Sequence, residues 1–158
     1  ELGLVGSEMC IRDSSYHAAN MLGGHFSVIT TLKRSIPALK KNLKNYGLYD
    51  NCVSLSSVDI PVLELESNLN LTEQKIEEKI KEILDNSDTE IFVLGCAGMA
   101  DFAIKMKKKY NIPVIEGISV AVKFAESFID LDLKTSSRNS FAMPRSKKFT
   151  GIFKNFEV

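Results

Sequence analysis

What this chain has little of narrows it first. Its 158 residues hold no tryptophan and only three cysteines, Cys10, Cys52 and Cys96. An odd cysteine count, with no CxxC pair and no histidine at ligand spacing, argues against a disulfide framework and against a zinc or other metal site. A reduced, cytoplasmic setting is the expectation. Neither sign of charge is in excess, since 20 Lys and Arg face 20 Asp and Glu, so no nucleic acid is expected as a partner. The densest basic run, Lys107 to Lys109, ends a predicted helix, where cations suit the dipole. No apolar run reaches the roughly 20 residues of a membrane span, so no membrane partner is expected. The start also lacks the basic region and apolar stretch of a signal peptide. No GxGxxG, Walker or GxSxG pattern occurs, which leaves dinucleotide and nucleotide binding without support.

What is present is ordinary for a globular protein: 44% hydrophobic and 25% charged residues, at a length that suits one domain or two small ones. His25–Thr30 reads as a short buried strand rich in β-branched residues. Lys33–Tyr46 follows at helical spacing, with Pro37 near its start and Gly47 as C-cap. Cys52–Ile60 alternates apolar and small polar residues, as a strand does, and Pro61 ends it. Asn70–Asn86 is the clearest helix, with Thr72 as a cap and Ile76, Ile80, Ile83 and Leu84 as its apolar stripe. Ile91–Gly95 is a continuous apolar run, the mark of a central parallel strand covered on both faces. The turn Gly95–Met99 leads into a helix ending at Tyr110. Ile112–Gly117 reads as another strand and Ser119–Leu131 as another helix. The tail from Lys134 is irregular. This β-α-β-α-β-α-β-α order predicts an α/β fold with a mostly parallel sheet flanked by helices.

In such sheets sites lie at the carboxyl ends of strands, and two turns there carry chemistry. Cys96 follows a strand and precedes a helix, whose first amides are unpaired and favour negative charge, so a thiol there can react as thiolate. The amides from Ala97 to Met99 can hold a carboxylate or a developing enolate, with Gly95 and Gly98 keeping side chains clear of a close ligand. The competing reading is that Cys96 is a small buried hydrophobe. Thr30 and Thr31 leave a strand in the same way; their hydroxyls either bond a substrate carbonyl or cap the next helix. Glu116 ends a strand and either lines the cleft or caps a helix. Cys52 reads as structural, and His17 and His25 have no partners at ligand or triad spacing.

The segments HFSVITTLKRSIPALKKNLKNYGL, VDIPVLEL, IFVLGCAGMADF and IPVIEGISVAVKFAE, in this order, resemble the hydantoin/allantoin racemase branch of the aspartate/glutamate/hydantoin racemase superfamily. VLGCAGM followed some twenty residues later by PVIEGISVAV is the more specific pair of signatures. The resemblance runs from about Tyr16 to Gly151. It implies two similar α/β domains facing each other across a cleft, each supplying one cysteine, with no cofactor and a small-molecule substrate. One cysteine as thiolate removes the Cα proton, and the other as thiol returns a proton on the opposite face. By this resemblance Cys96 is the second catalytic cysteine. Thr30, Thr31, Gly95, Ala97 and Gly98 are substrate-binding, and the intact protein is expected to be a homo-oligomer. An amino-acid racemase, decarboxylase or isomerase of the same superfamily is the alternative, and a non-catalytic small-acid binding module is the alternative from another class.

The family's first cysteine lies in the first domain, upstream of the FSVITT strand. Cys10 does not match its turn: no strand precedes it and no small-residue turn follows it. The codons CTC GTG GGC TCG GAG ATG TGT ATA AGA GAC encode Leu4 to Asp13, and that DNA resembles the transposase-type adapter of sequencing-library preparation. Residues 1–14 are therefore expected to be an adapter-derived artefact. The expected division is a second racemase α/β domain over 15–117, then a C-terminal helix and tail, 118–158, that pack on the first domain. With that domain and its thiol outside the chain, the 158 residues alone are expected to be inactive.

Overall fold

In a computed structural model of the chain, the described residues are 13–139, 142 and 150–152. Cys10 and most of the stretch assigned to the adapter lie outside them, as does most of the tail. By its internal contacts the chain divides into two units, Glu1–Ala125 and Glu126–Val158.

The first unit is built on four parallel strands, β1 (Phe26–Thr30), β2 (Cys52–Ser57), β3 (Ile91–Leu94) and β4 (Val114–Glu116), in the order β2-β1-β3-β4. Among the described residues five α-helices connect or flank them: α1 over residues 13–22, α2 (Ile36–Asn45), α3 (Leu69–Asn86), α4 (Ala100–Tyr110) and α5 (Gly117–Asp130), which runs past the boundary of the unit. The parallel α/β architecture is the one the sequence predicts.

The alternation of side chains along each strand explains the layers. Successive residues point to opposite faces, and the central strands β1 and β3 are apolar on both. Phe26, Val28, Ile91, Val93 and Ile115 point to one face. There they meet Tyr16 and Ala19 of α1, Leu39 and Leu43 of α2, and the partly buried Val120 and Phe124 of α5. Ile29, Phe92, Leu94 and Val114 point to the other, against Ile76, Ile80 and Ile83 of α3 and Phe102 and Met106 of α4. A sheet buried on both faces needs near-continuous apolar strands, and FSVIT and IFVL supply them. The one polar side chain in the middle of β1, Ser27, is fully buried and is satisfied by the Thr89 hydroxyl at 2.7 Å.

Four local features depart from the sequence-based expectation. A helix, α1, precedes β1. Its start overlaps the segment set aside as an artefact, but the pair Gly23-Gly24 that stops it is visible in the sequence. The second strand ends at Ser57 rather than Ile60, because Asp59 turns the chain through a left-handed conformation with φ of 51°. Its pairing with β1 shifts by one residue between Phe26 and Ser27, so that Phe26 faces Cys52 but Ser27 faces Ser54. That extra residue, Val53, is why Cys52 and Leu55, three apart, pack into the same cluster. The third helix begins at Leu69 and is capped by Asn68, whose Oδ1 accepts from the Leu71 amide at 3.1 Å. Thr72 is not the cap: it is buried in the first turn, where its hydroxyl donates to the Leu65 carbonyl.

Lys105 and Lys109 of α4 pair with Glu73 and Glu77 of α3, so part of the basic run ties two helices together. Asn68→Ala removes the acceptor for a helix-terminal amide and is expected to cost about 1 kcal/mol, read as a lower urea midpoint with an unchanged slope. Among the described residues no helix is long and apolar enough to cross a membrane.

Candidate active site

The strand order places the site. From β1 the chain crosses to β2 on one side, whereas β3 and β4 lie on the other. The carboxyl ends of β1 and β3 are therefore the point where connections diverge, and the crevice there is where ligands bind in open α/β sheets. Thr30 and Thr31 stand at the end of β1, and Gly95 and Cys96 at the end of β3.

The two ends are locked side by side. The Gly95 amide donates to the Ile29 carbonyl at 2.8 Å. A Cβ on Gly95 would lie 3.3 Å from Val28 Cγ1 and 3.5 Å from Thr30 Cβ. A side chain at Gly95 would therefore press on Val28 at the level of the threonines. Thr30 and Thr31 are buried, at 3% and 5% exposure, and their carbonyls accept from the Val58 and Ile60 amides.

Cys96 follows with an extended backbone and a half-buried side chain, and the chain turns at once into a 3-10 turn, Ala97–Met99, that runs on into α4. Its carbonyl accepts from the Met99 amide at 3.0 Å, so that amide is spent on the turn. The amides of Ala97 and Gly98, both exposed residues, have no hydrogen-bond acceptor among the described residues. A Cβ on Gly98 would stand 3.9 Å from Cys96 Sγ, 3.1 Å from Leu65 Cδ1 and 4.0 Å from Val62 Cγ1. A side chain at Gly98 would therefore press on Leu65 and stand beside the thiol. The arrangement offers a thiol that can exchange a proton, next to two outward amides that can receive a developing negative charge.

Cys52 sits elsewhere. It opens β2, at the amino edge of the sheet, while Cys96 leaves β3 at the carboxyl edge. Five residues of strand separate the two levels, about 16 Å at 3.3 Å per residue. Burial pushes the Cys52 thiol up to about 12, against smaller opposing effects of backbone hydrogen bonding at Ser54 and Val28. It is a structural residue.

Glu116 turns its carboxylate onto the start of α5, accepting from the Ile118 and Ser119 amides at 2.8 Å each. It caps that helix. His17 and His25 are exposed, with the His17 ring 6.1 Å from that of Tyr46. Among the described residues no three His, Cys, Asp or Glu side chains gather to hold a metal ion.

Asp59 is a further residue at this end of the sheet. Its Oδ1 accepts from the Lys33 amide at 3.0 Å and from the Ser57 hydroxyl at 2.9 Å, joining the turn after β1 to the end of β2. The Ser57 hydroxyl and then the Lys33 amide hold its carboxyl below the usual range. A depressed carboxyl stabilises the fold above its ordinary pKa, and that contribution is lost as pH falls through the folded value. Asp59→Ala is expected to speed exchange of the Lys33 amide several-fold, whereas Asp59→Asn, which keeps an acceptor and tolerates the left-handed backbone, largely preserves its protection. The signal available in the sequence was an Asp two residues after Ser57 and two before Pro61, a turn composition.

The model of the Asp/Glu/Hydantoin racemase family matches residues 9–125. The chain belongs to this family. Hydantoin racemases of Pseudomonas sp. (strain NS671) and Rhizobium meliloti are each 34% identical to it over 146 residues, or 92% of this chain. The solved allantoin racemases from Klebsiella pneumoniae and Pseudomonas fluorescens superpose with TM-scores of 0.85 and 0.82, each at 35% identity, over 93% and 89% of the chain. The match spans 59% and 61% of the two hydantoin racemases and 60% of each solved allantoin racemase.

Proposed function

We propose that this chain carries one wall of the active site of a cofactor-independent racemase acting at the Cα of hydantoins, allantoin or related compounds. Cys96 as thiolate takes the proton from one face of Cα. The electron pair left on carbon delocalises into the adjacent carbonyl, and the Ala97 and Gly98 amides receive the charge that develops on its oxygen. Thr30, Thr31 and Gly95 define the side of the substrate turned toward β1. A second thiol, from the part of the protein that this chain does not include, gives its proton to the opposite face. The two thiols then hold exchanged protonation states, and the reverse reaction starts from that form.

The observation that carries the reading is the pairing of a half-buried thiol with two amides that have no acceptor among the described residues, at the divergence of β1 and β3, in a chain whose relatives include named hydantoin and allantoin racemases. Cys52 is not the second thiol, because it stands at the other edge of the sheet. The exposed apolar side of α1 and the first half of α5, including Met21 at 77% exposure and Val122 at 51%, is assigned to contact with the remainder of the racemase.

The test uses the chain extended to its relatives' length and an optically pure 5-substituted hydantoin in D₂O. Loss of optical rotation with deuterium entering Cα is expected, and the 158-residue chain alone is expected to catalyse neither. Ligand binding without exchange in the extended protein would overturn the racemase reading and favour a binding module.

A further inference from the structure

We infer that Val62 sets this site's preference for an apolar group, alkyl or benzyl, on the reacting carbon over a ureido group. The inference rests on the racemase reading and adds the substrate class. Val62 opens the short 3-10 turn Val62–Glu64 after Pro61. Ile60 before the turn and Leu65 after it are buried at 5% and 0% exposure and hold it to the core. Val62 itself is 49% exposed, so its side chain is open to a ligand. Its Cγ1 and Cys96 Sγ lie 4.0 and 3.9 Å from one point, the empty Cβ position of Gly98.

Two unlike groups therefore stand near the thiol: the Ala97 and Gly98 amides, suited to the carbonyl next to the reacting carbon, and the isopropyl group of Val62, which offers no donor or acceptor. A substrate whose carbonyl meets the amides and whose reacting carbon meets Sγ has a substituent within reach of Val62. An alkyl or benzyl group gains by covering that side chain. A ureido group would lose water there without a replacement partner for its N–H and C=O groups.

The experiment uses the 158-residue chain and reads Cys96 alone, by mass spectrometry of its peptide. 2-Bromo-3-phenylpropanamide and 2-bromo-3-ureidopropanamide, which carry the benzyl or the ureidomethyl group on the reacting carbon itself, each alkylate the thiolate: the sulfur bonds to that carbon, the C–Br bond breaks and bromide leaves. Their rate ratio at Cys96 is divided by their ratio toward glutathione, which removes intrinsic reactivity. The normalised ratio is expected to favour the benzyl reagent and to fall roughly three- to tenfold in Val62→Ser, the loss expected for removing two partly covered methyl groups. Val62→Thr, of nearly the same shape, is expected to fall in the same direction and serves if the serine variant does not fold. A wild-type ratio favouring the ureido reagent, or a ratio unchanged in folded Val62 variants, overturns the inference. Failure of the racemase reading is seen separately, as absence of Cα deuteration in the extended protein while Cys96 keeps its apolar selectivity.

Discussion

Cys96→Ser is expected to slow Cα deuteration in the extended protein by roughly 10²–10⁴-fold, the range that positioned proton transfer contributes, while Cys52→Ser changes it less than threefold. The hydroxyl of serine occupies nearly the volume of the thiol but is a far poorer base near neutral pH. Cys96 makes no side-chain capping bond and is only half-buried, so the serine variant should melt close to the parent. That separates loss of chemistry from loss of fold. Cys52 is remote by about five strand residues, about 16 Å, and its replacement has no route to the reacting carbon. Equal losses in the two variants would show that the rate reports stability rather than a thiol at the site. Full deuteration with Cys96→Ser would remove the assigned role altogether.

The elements that were legible in the sequence are those whose pattern needs no distant partner. FSVIT and IFVL announce a doubly covered sheet because every residue of a central strand must be apolar or satisfied. Ile76, Ile80 and Ile83 announce α3 because they fall on one stripe. The turn GCAGM is conspicuous because a thiol and two glycines between strand and helix is an unusual composition unless the backbone must come close to something, here β1 at Gly95 and Leu65 at Gly98. What was not legible depends on contacts remote in sequence. The end of β2 is set by Asp59, whose carboxylate answers an amide 26 residues away. The cap of α3 passes to Asn68 because Thr72 is claimed by the carbonyl of Leu65. The one-residue shift at Val53 follows from matching β2 to β1, which neither strand encodes alone. Glu116 could be placed at a strand end by pattern, but its choice of the α5 amides over the cleft needed the geometry of the turn.

The second large effect is expected in alkali, and it comes from the other thiol. Burial raises Cys52 from 9.0 to about 12, so between those values the folded chain keeps a proton that the unfolded chain releases. Stability must then fall as pH rises. The contribution is fully present below about pH 9 and is lost progressively toward pH 12, at a limit of about 4 kcal/mol for three pKa units. At pH 11 the loss is about 3 kcal/mol, a large part of the margin of a small domain. Other groups titrate in the same window: Tyr110 is raised by its burial and Lys109 by its bond to Glu77. The measurement is therefore a difference: urea unfolding of the parent and of Cys52→Ala at pH 8, 9.5 and 11. The alanine variant loses the thiol's packing at every pH, so it should be the less stable of the two at pH 8 and converge on the parent, or overtake it, by pH 11. The Cys52 thiol should also resist iodoacetamide at pH 9 in the folded chain and react on adding denaturant. Stability curves that stay parallel from pH 8 to 11 would mean that water reaches the Cys52 thiol in the folded chain and that burial does not control its ionisation.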